Sequence, residues 1–185
     1  MLKKNLMIVG MLVAGLAAQA QGKYFTKTGR VEFYSKAPLE DIEAKNKTAT
    51  AVLDSKSGAL QFSVAMKGFE FPKALMQEHF NENYVQSDKY PKAEFKGNVI
   101  NNGDVNYAKE GTYNVKVKGK MSLHGETKEV EAAGTIKVAG NQVFLNSIFN
   151  LQLSDYKISI PGTVKDKISN TIRVTVDSKL DPLKS

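Results

Sequence analysis

The chain has 185 residues, with 26 Lys and Arg against 19 Asp and Glu, a net charge of +7, and no cysteine. That length fits one domain with a single sizeable core. The missing cysteines exclude a disulfide framework, and charges spread along the chain, with no basic stripe interleaved with aromatics, exclude the usual nucleic-acid footprint.

Residues 1–20 read as a secretory leader outside the fold. Lys3 and Lys4 give a positive start, Leu6–Ala18 an apolar stretch and Ala18-Gln19-Ala20 a small-x-small cleavage site. The apolar stretch is shorter than the ~20 residues of a membrane span, and no stop-transfer segment or lipid-anchor cysteine accompanies it. The expectation is a periplasmic or secreted bacterial domain, residues 21–185, that does not span a membrane. Loss of the two lysines leaves it at +5.

Alternating segments separated by turn signals fill most of that domain. Tyr24–Lys36 is the first predicted strand, with Val31 and Phe33 inward and Gly29 at a bulge. Lys47–Asp54 and Ala59–Met66 flank Ser55-Lys56-Ser57-Gly58 as a hairpin, and Leu60, Phe62, Val64 and Met66 share a face. Lys73–Tyr84 is the single helical pattern. Leu75, Met76, His79 and Phe80 recur at helical spacing, Tyr84 comes a turn later, and Pro72 stands where a first helical residue tolerates proline. This helix is expected to lay its apolar stripe over one end of the sheet. Lys92–Ile100 is the fourth strand, closed by Asn101-Asn102-Gly103-Asp104.

Gly111–Val138 is the most strongly patterned stretch. Tyr113, Val115, Val117, Gly119, Met121 and Leu123 fall on one face, and Asn114, Lys116, Lys118, Lys120 and Ser122 on the other. His124-Gly125 supplies a two-residue turn with Gly where φ must be positive. Facing residues then have numbers summing to 249. Val130, Ala132, Gly134 and Ile136 meet Gly119, Val117, Val115 and Tyr113, while Lys120 faces Glu129 and Lys118 faces Glu131. Each opposite-charge pair contributes about 0.2–1 kcal/mol. Gly140-Asn141 leads into Gln142–Leu153, with Val143, Leu145, Phe149, Leu151 and Leu153 inward. A Pro161-Gly162 loop precedes the last strand, Ile168–Lys179, where Ile172, Val174 and Val176 share a side. Eight strands joined mainly as hairpins predict an all-β fold: an eight-stranded antiparallel barrel or sandwich with one short helix between the third and fourth strands.

Little in the chain suggests catalysis. His79 lies beside Glu78 and one turn before Glu82, a thin metal pattern against the three or four ligands zinc takes. His124 reads as a turn residue tolerating φ > 0. No Ser-His-Asp set, phosphate loop or pair of pocketed carboxylates stands out, so the expectation is a non-enzyme with no metal or other cofactor.

The inward face is more informative. Gly119, Ala132, Gly134 and Ser147 place small residues among Val, Leu, Phe and Met. They either mark barrel bends or leave a bore. Gly111–Leu123 spans about 43 Å at ~3.3 Å per residue, about 33 Å of height at a ~40° tilt. That is long enough to sheathe a hydrocarbon chain, since half a bilayer's hydrocarbon is only ~15 Å. Composition leaves both readings open. Lys128 points inward in the 249 register beside the turn, where its ammonium could reach water or an anionic head group.

A resemblance separates them. Met76-Gln-Glu-His79-Phe80, Tyr84, Lys89-Tyr90-Pro91 and Phe95-Lys96-Gly97 resemble the central motif of the YceI-like family. There a helix ending in His-Phe leads to Tyr-Pro and a Phe-x-Gly/Ser strand. Val117-Lys-Gly119-Lys-Met121-Ser-Leu123-His124-Gly125-Glu-Thr127-Lys128-Glu-Val130 is similar to the family's hairpin, and Ser154-Asp155-Tyr156 to its turn before the last strand. Together these cover roughly residues 60–180. The family's Ser-x-Val-x-Phe-x-x-x-His opening is absent, with only Gly29–Tyr34 in that neighbourhood. The resemblance implies a lipocalin-like periplasmic barrel holding a polyisoprenoid or similar amphiphilic lipid in its bore, as carrier or store. The candidate cavity residues are then Phe62, Val64, Met66, Phe95, Val115, Val117, Gly119, Met121, Ala132, Gly134, Ile136, Phe149 and Leu151, with Lys128 and His79 at the mouth. An outer-membrane barrel is excluded by an outward face carrying Lys116, Lys118, Lys120, Glu129 and Glu131. The alternative is a solid barrel acting as a protein-binding or assembly module without lipid.

Overall fold

The hairpin Gly111–Val138 forms in the predicted register. β6 (Gly111–Leu123) and β7 (Glu126–Ala139) pair through thirteen partners from Gly111↔Val138 to Leu123↔Glu126, every one summing to 249. His124 (φ 52°) and Gly125 (φ 79°) both take positive φ, as a type I′ turn requires. Lys118 lies opposite Glu131 and Lys120 opposite Glu129, all four exposed. A close ion pair forms instead at the tip, where Lys157 Nζ stands 2.7 Å from Glu126 Oε1.

The structure is a computed structural model describing residues 22–183, so the predicted leader lies outside the described residues. The other strands are β1 (Lys23–Lys36), β2 (Asp41–Asp54), β3 (Ala59–Ala65), β4 (Phe69–Glu70), β5 (Lys92–Val99), β8 (Gln142–Gln152) and β9 (Thr171–Pro182). All pairings are antiparallel, in the order β1-β9-β8-β7-β6-β5-β3-β2, and β1 also pairs β2. That last pairing closes an eight-stranded barrel. β4 is a two-residue spur on β2. The expected bulge occurs at Gly29, where register shifts on both sides.

Three elements depart from the pattern reading by more than one residue. β2 begins at Asp41 rather than Lys47, because a polar residue, Asn46, occupies an inward, wholly buried position. Its Nδ2 donates to Ala65 O at 2.9 Å, satisfying the amide without breaking the strand. β9 begins at Thr171 rather than Ile168, since Lys167 and Ile168 turn back to bond Val164 O. The helix α1 covers Ala74–His79 and continues as a π-helical turn, Phe80–Tyr84. Lys73 is its N-cap, so Pro72 lies ahead of the helix instead of in its first turn.

One end of the barrel carries α1, the β1–β2 turn, the β6–β7 turn and the segment 153–170. This is the helix side. The opposite end is solid: Ala51, Leu53, Val143 and Leu180 are completely buried. The loop between β5 and β6 caps it with buried Val105 and with Tyr107, whose ring stacks on Tyr24 at 6.1 Å and whose hydroxyl donates to Asn102 Oδ1 at 2.8 Å. Among the described residues no helix is long and apolar enough to cross a membrane.

Candidate functional site

The inward faces of the strands leave a cavity of about 580 Å³ in the helix-side half. Alternation places the wall: Phe62 and Val64 of β3, Phe95 of β5, Val115, Val117 and Met121 of β6, and Ala132, Gly134 and Ile136 of β7. Phe149 and Leu151 of β8 and Met66 after β3 complete the predicted residues that line it. Leu60, Val99 and Leu145 share the floor with Val115 and Ile136, and below them the barrel is packed. The bore is therefore a half-barrel pocket closed at its floor and not a sheath of full strand length.

Gly119 is not on the wall. A Cβ there would stand 2.4 Å from Lys96 O, 2.5 Å from Gly97 Cα and 2.8 Å from Phe95 Cζ. Gly97 and Gly119 face each other across β5 and β6, and the Phe95 ring lies over the pair. The missing side chain there admits the β5 backbone first and the aromatic ring second, and leaves no room for a ligand.

Lys128 is off the wall as well. It pairs with Met121, which does line the cavity, yet Lys128 is exposed. The turn Leu153–Tyr156 packs onto that end of the barrel. Tyr156 is buried, and its carbonyl accepts from His124 Nδ1 at 3.0 Å. Lys128 instead adds to the positive field around Glu126. That carboxyl is held below the usual carboxylate range, chiefly by its hydrogen bond to Lys157.

His79, in contrast, reaches the wall and is exposed, which puts it at the opening. Leu75 of the predicted helical stripe stands there too, with Glu40, Lys73 and Lys167, which sequence reasoning did not single out. They come from the β1–β2 turn, the helix cap, the helix and the 159–170 segment, loops whose meeting no periodicity encodes. Lys73 Nζ bridges to Glu40 Oε1 at 3.1 Å, and Leu39 N–H donates to Asp166 O at 2.9 Å. The mouth is thus framed by charge and tied between loops, while Leu39 and Leu75 remain 71% and 60% exposed on its rim.

α1 forms the lid. Phe80 packs against Phe33, Phe69 and Phe71 with ring centroids 5.4, 5.7 and 5.1 Å away. Burial raises the phenol pKa of Tyr84 beside them. Met76 and Phe80 turn inward as the helical stripe requires, whereas Leu75 faces out. Among the described residues no group of three or more His, Cys, Asp or Glu is placed to hold a metal. Chemically the site is an apolar pocket with a polar entrance, the usual pattern of small-molecule sites of ~300–1,000 Å³.

Comparison with solved structures finds the same fold at low identity. A polyisoprenoid binding domain from Saccharophagus degradans aligns with TM-score 0.76 at 12% identity, over 88% of this chain and 99% of that one. BcnA of Burkholderia cenocepacia aligns with TM-score 0.66 at 14% identity, over 82% and 95%. The YCEI protein of Campylobacter jejuni gives 0.58 at 12% identity, over 99% and 94%. No curated protein matches the sequence. The family model described as the YceI-like domain matches residues 15–180, most of the chain. This closed barrel with its helix-side pocket therefore belongs to the YceI-like family.

Proposed function

We propose that the protein is an exported, non-catalytic carrier or store for a long-chain amphiphile, a polyisoprenoid or similar lipid. The hydrocarbon lies in the helix-side cavity and the head group at the mouth. The carrying observation is the apolar pocket, closed at its floor and opening beside Glu40, Lys73, His79 and Lys167. It favours a carrier over a solid barrel serving as an assembly module. The polyisoprenoid-binding description of the Saccharophagus relative supports the ligand class.

Burying hydrocarbon from water yields ~0.8 kcal/mol per CH₂, but a lipid taken from a membrane leaves one apolar medium for another and that gain nearly cancels. Net capture then depends on fit and on the head group. Lys73 is committed to Glu40, which leaves His79 and Lys167 to meet a polar or anionic head.

The test is Ala132→Trp, which fills the pocket at mid-wall while keeping it apolar. The variant folds, at an overpacking cost of ~1–3 kcal/mol, and lipid extracted from it by organic solvent falls to background while wild type yields lipid. Equal lipid from a folded variant and wild type contradicts the assignment.

A further inference from the structure

The barrel wall is split between β7 and β8. Their ladder runs only from Gly134↔Ser147 to Ala139↔Gln142. Both strands continue past it: β7 stays paired to β6 as far as Glu126, and β8 stays paired to β9 as far as Gln152. In the same register Ala133 would face Ile148, Ala132 would face Phe149 and Val130 would face Leu151, yet no pairing joins them. The break covers roughly five residues, or ~17 Å at ~3.4 Å per residue. Ser147 Oγ, donating to Ala133 O at 2.7 Å, marks its lower end. The Leu153–Tyr156 turn, held to His124, marks its upper end.

Both edges of the split belong to the cavity wall, Val130 and Ala132 on one side and Phe149 and Leu151 on the other. The cavity lining also takes in Thr135 and Asn146, which pair with each other on the outer face at the lower end of the split. Unpaired backbone groups along such edges need water or another partner, which an open slit admits. On the outer lip Ile148 is 66% exposed and Ala133 is exposed. The stretch without pairing thus lies between the pocket and an apolar outer lip.

Volume gives the split a use. At the ~30 Å³ a water-sized group occupies in a liquid, 580 Å³ accommodates on the order of twenty heavy atoms. We propose that the split is a side port through which the far end of a longer chain leaves the barrel, its tail lying over Ile148. The site then sets no maximum chain length. This inference rests on the carrier reading above and adds the route by which a chain longer than the pocket is accommodated.

The test is a chain-length series in which farnesol, geranylgeraniol and undecaprenol displace a fluorescent fatty acid. It compares wild type with Ala133→Cys/Ile148→Cys, whose disulfide would close the lip in an otherwise cysteine-free chain. Wild type binds undecaprenol at least as well as geranylgeraniol. The oxidised variant binds farnesol within twofold of wild type and undecaprenol at least tenfold more weakly, and reduction restores it. Equal binding of undecaprenol by the oxidised and reduced variant overturns the port, as does weaker binding of undecaprenol than of geranylgeraniol by wild type. Displacement by none of the three in either protein overturns the carrier reading itself, and the port with it. A second measurement does not depend on disulfide formation: undecaprenol bearing a diazirine at its tail end labels Ile148 or Asn150 on the outer face of wild type. Label confined to cavity residues overturns the proposal.

Discussion

At the scale of single residues, small inward side chains turn out to serve different purposes. Ala132 borders open space, Gly134 lines the cavity but a Cβ there would stand 2.5 Å from Asn146 O of the next strand, and Gly119 lets the β5 backbone and the Phe95 ring come close. Alternation puts all three on the inner face but cannot say which neighbour fills the gap, because the ring belongs to another strand. Gly119→Ala should cost at least ~1–3 kcal/mol by overpacking, and Phe95→Leu in the same chain should recover only a minor part in a denaturant double-mutant cycle, because the nearer clashes are with the β5 backbone. Tyr107 gives a second test at this scale. Burial pushes its phenol up to about 12 from its ordinary value near 10. The fold favours the neutral form, so this stabilisation is complete below pH 10 and is lost as pH rises to about 12. Denaturation midpoints measured from pH 9 to 12 should fall less in Tyr107→Phe than in wild type. For Glu126, whose carboxyl Lys157 holds low, Lys157→Met should move its nuclear magnetic resonance titration upward toward the ordinary carboxylate range.

At the scale of elements, the hairpin was legible because turn chemistry, apolar alternation and charge placement all point to one register. A single-residue slip would turn Val115, Val117 and Ile136 outward, and every β6–β7 partner obeys the predicted sum. β2 was legible only from Lys47 onward, where its apolar residues begin to alternate. Its first half buries Asn46, whose partner Ala65 is nineteen residues away. The helix shows the same division. Its stripe marks Phe80 as inward, but the aromatic cluster it joins is assembled from β1, β4 and the residue after it. Phe80→Ala should cost about 3 kcal/mol in denaturant unfolding, at the lower end for a truncated aromatic since Phe80 is only half-buried. The lid should loosen with it, seen as faster amide exchange across 74–84 than at β6.

At the scale of the whole molecule, strand count, order and barrel closure arise from segments that each bury one face. The depth of the cavity does not. Strand length suggests a full-height bore, but Ala51, Leu53, Val143 and Leu180 fill the far half, and only the closed barrel brings β2, β8 and β9 together under the capping loop. The mouth was hidden for the same reason, since Glu40, Lys73 and Lys167 come from connections that carry no repeat. In the proposed complex, hydrocarbon inside the barrel occupies the helix-side half alone. Isotope-filtered nuclear Overhauser spectra of the protein with bound geranylgeraniol test it most directly. Contacts are expected from the prenyl methyls to Val64, Val117, Ile136 and Leu151, with none to Leu53, Val143 or Leu180. Contacts to that second set, or to exposed Leu39 with the cavity methyls unaffected, would contradict it.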